Sequence, residues 1–112
     1  MKLLPKELEE RLPSIEEARN LNDPEIIVKY FHPMSDWTWY AAGYNDGIFW
    51  GLVDGHYLET GLFSLKEMQE VWVLGLGIER DLHFEPIKMS DIRKKIQERR
   101  NWFDAQDNLP DV

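Results

Sequence analysis

The chain has 112 residues, 43% of them hydrophobic and 12% aromatic, with no cysteine and a formal net charge of −8. That length holds one domain with enough apolar material for its own core, and the missing thiols exclude disulfides and thiolate zinc sites. The acidic balance disfavours nonspecific nucleic-acid binding, which needs clustered Lys and Arg, and no apolar run of about 18 residues is present to cross a membrane.

Met1 to Pro5 is too short, and too soon followed by Glu7, Glu9 and Glu10, for a secretory signal, so a cytoplasmic setting is expected. Pro5 suits the first turn of a helix, the acids after it favour the positive end of the helix dipole, and Leu4, Leu8 and Leu12 share one face up to Pro13. Ser14 with Glu17 has capping-box spacing for a second short helix ending near Asn20 to Asp23. Glu25 to Phe31 is rich in β-branched and aromatic residues and predicts a strand. Trp37–Tyr44, Ile48–Val53 and His56–Leu62 predict three more, joined by the tight-turn signals Asp46-Gly47 and Asp54-Gly55 into an antiparallel meander.

Ser64 and Glu67 repeat the capping-box spacing, with Leu65, Met68 and Val71 or Trp72 as the buried stripe. Leu74 to Gly77 interrupts regular structure, and Ile78 to Phe84 resumes in extended form before Pro86. Ser90 is the expected cap of a last helix with Ile92, Ile96 and Phe103 on one face. The expected architecture is therefore α+β: residues 1–103 form one domain with an antiparallel sheet of four to five strands flanked by two to three helices. Residues 104–112 read as a loosely ordered acidic tail.

Charge is unevenly spread. Residues 26–87 hold nine acids against three bases, whereas residues 88–100 hold six bases against two acids. If Ile78 to Phe84 is a strand, its period of two places Glu79, Asp81, His83 and Glu85 on one face. Carboxylate oxygens suit hard divalent cations such as magnesium, and an imidazole is compatible with manganese, iron or zinc. Should the last strand lie beside the Asp54-Gly55 hairpin, Asp54, His56, Asp81 and His83 could share a metal, with Glu79, Asp81 and His83 serving phosphodiester hydrolysis.

Trp37 and Trp39 belong to an aromatic set, with Tyr40, Tyr44, Phe49, Trp50 and Tyr57, that would stack bases only beside a basic groove. In an acidic surrounding most of these rings are expected in the core. If the Trp37 and Trp39 face is exposed, it is a protein-binding patch. The basic helix Lys88 to Arg100 reads as a solvated face able to touch an acidic partner. No GxSxG, P-loop, HExxH or dinucleotide fingerprint occurs.

Five ordered blocks, MKLLPKELEERLP, WTWY, FWGLVDG, ETGLFSLKEM and IERDLHFEP, together resemble domain-of-unknown-function family 2958. The resemblance implies a small protein of plasmids, conjugative elements and phages in a prokaryotic host, and it assigns no catalytic residues. Accessory proteins of such elements often act on restriction or CRISPR machinery, so it implies a counter-defence module. On that reading the chain is non-catalytic, needs no cofactor and captures a nucleic-acid-handling protein through Trp37, Trp39, Asp54, Glu79, Asp81 and Glu85, whose carboxylates imitate phosphates. The alternative is the nuclease with magnesium or manganese.

Overall fold

The computed structural model describes residues 1–107. Helix α1, Lys6–Arg11, starts directly after Pro5, and it seats Leu8 against the buried Leu4 and Leu12. Helix α2, Ile15–Asn20, begins at Ser14, whose Oγ accepts the Glu17 N–H at 3.1 Å. The run from Glu25 to Phe31 is extended but serves two ladders. β1, Glu25–Ile26, pairs with β9, Ile87–Lys88. At Ile27 the backbone N–H donates to the Ala41 carbonyl at 2.9 Å, and the chain continues as β2, Val28–Phe31.

The meander follows as β3, Thr38–Asn45, β4, Ile48–Asp54, and β5, Leu58–Ser64. Asp46 and Gly47, both at positive φ (43° and 89°), form the two-residue turn between β3 and β4, the geometry that matches strand twist. Helix α3, Leu65–Glu70, starts at Ser64, whose Oγ accepts the Glu67 N–H at 3.2 Å. A small hairpin of β6, Trp72–Val73, and β7, Leu76–Gly77, then leads into β8, Glu79–Arg80. The central sheet is wholly antiparallel in the order β5-β4-β3-β2-β8, so the outer edge of β5 is unpaired among the described residues.

Alternation along the strands divides the core in two. On one face Val28, Tyr30, Ala41 and Phe49 meet Leu3, Leu4, Leu12, Met68 and Ile78. On the other, Tyr40, Ala42 and Leu52 meet Ala18 of α2 and Met89 and Ile96 of the last helix, α4, Met89–Asp107. Each fully buried Phe49 or Leu52 contributes roughly 1.5–3 kcal/mol over exposure. A bulge between Ala41 and Gly43 sets two small residues side by side under α2. A Cβ at Gly43 would stand 3.0 Å from the Ala18 Cβ.

Three local expectations change. Trp72 does not join the buried stripe of α3, because the helix ends at Glu70 and the chain turns outward into the hairpin. Ser90 is not the cap of α4; it lies in the first turn, where its N–H and Oγ donate to the Asp23 carboxylate at 3.0 and 2.6 Å, and Met89 N–H donates to the Pro24 carbonyl. Residues 104–107 continue α4 instead of beginning a loose tail, and the rest of that expectation, 108–112, lies outside the described residues. No described helix is long and apolar enough to cross a membrane.

Candidate functional site

The row of Glu79, Asp81, His83 and Glu85 depends on an extended segment that ends after two residues. β8 pairs Arg80 with Tyr30 and Glu79 with Phe31, and the chain then turns at Asp81. Asp81 N–H donates to the Lys29 carbonyl at 2.9 Å, Oδ1 accepts the His83 N–H at 2.9 Å, and Oδ2 lies 3.6 Å from Lys29 Nζ. An aspartate that caps its own turn in this way competes with strand pairing. Glu79 and Asp81 are consequently half-buried, and His83 and Glu85 are exposed outside any strand. Among the described residues, no three His, Asp or Glu side chains gather as a metal ion would require.

Asp54 is 2% exposed, and its carboxylate is enclosed by α4. Arg99 Nη2 donates to Oδ2 at 2.5 Å, and Arg100 donates to Oδ1 through Nε at 3.2 Å and through Nη2. Arg100 also reaches the Gly55 carbonyl at 2.8 Å and the His56 carbonyl at 3.3 Å. A buried carboxylate needs such pairing, so Asp54 is committed to the fold and does not belong to an acidic docking face. His56 stands exposed in the Gly55–Tyr57 loop, its ring edge-on to Trp37 at 5.4 Å. Trp37 covers Gly55, where any Cβ would strike the indole, and is 36% exposed; Trp39, 6.1 Å away, packs against the core. Tyr40 and Phe49 are buried, as expected of the aromatic set, while Tyr57 is exposed.

The β6–β7 hairpin carries a different kind of surface. Trp72 and Leu74 are 69% and 80% exposed, and Val73 and Leu76 are also exposed. Leu74 and Gly75 take positive φ, 54° and 78°, in a tight turn that presents the leucine outward. Beneath it the buried His32 locks the hairpin to the neighbouring turn: Nε2 lies 3.0 Å from the Leu76 carbonyl, and Nδ1 accepts the Met34 N–H at 3.1 Å. With Nδ1 accepting, Nε2 carries the proton that bonds Leu76. Met34 is itself exposed. The sequence showed this segment only as a break between regular elements; its signal was the Trp-Val-Leu-Gly-Leu composition, hydrophobic where a loop is polar.

The profile of the family described as "Protein of unknown function (DUF2958)" matches residues 3–101. The chain belongs to this family. No curated protein and no solved structure gives a significant match. The DUF2958 match spans α1 through the Asp54-binding arginines, so the enclosed carboxylate and the apolar hairpin both fall within the family region.

Proposed function

We propose that this DUF2958 protein is a non-catalytic protein-interaction module of a prokaryotic mobile element, docking on a protein partner through the Trp72–Gly77 hairpin. The observation that carries this reading is the hairpin itself, four large apolar side chains exposed on a hairpin that His32 ties to the neighbouring turn by a hydrogen bond to Leu76. Exposed tryptophan with aliphatic neighbours is the composition of interface anchors, and grouped apolar side chains of this kind mark interaction sites on soluble proteins. In the counter-defence version the partner is a restriction or CRISPR component with a basic cleft. Glu79, Asp81 and Glu85 then steer encounter from the acidic middle of the chain, and Asp54 takes no part.

The test is capture of partner from a prokaryotic lysate by wild type, by Trp72→Ser with Leu74→Asp, and by Glu79→Lys with Glu85→Lys. The hairpin pair should lose capture by at least about tenfold, and the charge pair should slow association and weaken its dependence on salt. Equal capture by wild type and the hairpin pair, both folded, rejects the docking site.

A further inference from the structure

Beyond Arg100, the last residue of α4 to bond the sheet, residues 101–107 are all exposed. Between this part of the helix and the ends of β2, β3 and β4 lies a cleft of about 1280 Å³, room enough for a small organic ligand. Two cations with hydrogen-bonding capacity to spare border it. Arg99 gives one donor to Asp54, and its side chain is 52% exposed, so four of a guanidinium's five N–H groups are unused among the described residues. Lys29 sits 3.6 Å from Asp81 and over the Tyr40 ring at 5.8 Å. Arg100, in contrast, is consumed by Asp54 and two carbonyls.

The enclosed Asp54 fixes Arg99 in place while two guanidiniums outweigh its single charge. Thr38, which carries a hydroxyl, lines the same space, as do Tyr57 and Phe103, both exposed. A fixed guanidinium, an ammonium and a hydroxyl are the donors that a phosphoryl group takes, and free aromatic faces accept a flat ring. We infer that this cleft binds a mononucleotide, with its phosphate between Arg99 and Lys29 and its base against Tyr57 and Phe103. Asp36 and Asp104, exposed carboxylates that also line the cleft, would repel the further phosphates of a polynucleotide.

Isothermal titration of the full chain with AMP and ADP, beside adenosine, inorganic phosphate and a short single-stranded oligonucleotide, decides the matter. Nucleotide should bind at least about tenfold more tightly than adenosine or phosphate alone. Arg99→Gln and Lys29→Gln should each weaken it by roughly tenfold or more, the scale of one charge-assisted hydrogen bond. Arg93→Gln, on the same helix but away from the cleft, should leave it unchanged. If Arg99→Gln fails to fold, Lys29→Gln carries the test, since that side chain does not hold Asp54. No heat from either nucleotide at millimolar concentration, unchanged affinity in a folded Lys29→Gln, or tighter binding of the oligonucleotide would each overturn the assignment.

Discussion

Arg100 of α4 and Asp54 of β4 are 46 positions apart in the chain, and the guanidinium of one closes the carboxylate of the other off from water while spanning the turn that ends β4. The pair, with Arg99 beside it, fixes the middle of the last helix to the sheet. Asp54→Ala should lower stability by about 1–3 kcal/mol, because two guanidiniums lose charge-assisted hydrogen bonds but, being 52% and 28% exposed, can turn to water. Arg100→Ala should cost more than Arg99→Ala, whose side chain is half in solvent and correspondingly screened. Urea unfolding of the three variants checks the order.

Phe49 is fully buried with the rings of Tyr30, Tyr44 and Phe63 at 5.5, 4.8 and 5.2 Å. Phe49→Ala removes all three contacts and leaves a cavity on the α1–α3 face, for a loss of about 3–5 kcal/mol. Thermal and urea melts should agree on the loss.

The hydroxyl and then the backbone N–H of Ser90 hold the Asp23 carboxyl below its ordinary range, against an opposing effect of desolvation, with Lys88 adding least to the lowering. A carboxyl lowered in the folded state gives stability that is fully present above the ordinary carboxylate range and lost as pH falls through the folded value. Asp23→Ala should therefore melt a few degrees below wild type at neutral pH. The two curves should converge at the acid end, below about pH 4. A difference independent of pH would contradict this linkage.

Burial pushes the Tyr40 phenol up to about 12, with Asp54 adding to the rise and Arg99 opposing it, and burial raises Tyr30 further still. Both phenols stay protonated in the fold at a pH where an unfolded chain would ionise them. Their contribution is present below the ordinary tyrosine value of 10.0 and disappears as pH climbs above it. Stability should fall above about pH 10, with tyrosinate absorbance rising in step with unfolding, and Tyr40→Phe should flatten that fall.

Signals that lie within a few residues of one another were legible in the sequence. Ser14 with Glu17, Ser64 with Glu67, and Asp46-Gly47 each act over one turn, and each forms as its spacing predicts. Ser90 misled because a serine before a helix is a cap by type, and the carboxylate it meets is 67 positions away. The polar row failed on one residue: Asp81 accepts the N–H two positions on, and the alternation needed for His83 and Glu85 stops there. The enclosure of Asp54 was hidden for the opposite reason. Arg99 and Arg100 look like any solvated helix charge until the fold carries them across to β4. Leu74 gave no turn signal because a leucine seldom adopts a positive φ.

The outer edge of β5 carries a longer-range consequence. Seven residues paired in unbroken register on one side leave the backbone donors and acceptors of the other side without a strand partner among the described residues. There is no proline, bulge or lysine along that strand, and Glu59 is its lone charge. Natural edges usually carry one of those deterrents. Two molecules that meet there would continue one sheet into the next, and sedimentation over a range of concentrations is the measurement that checks it.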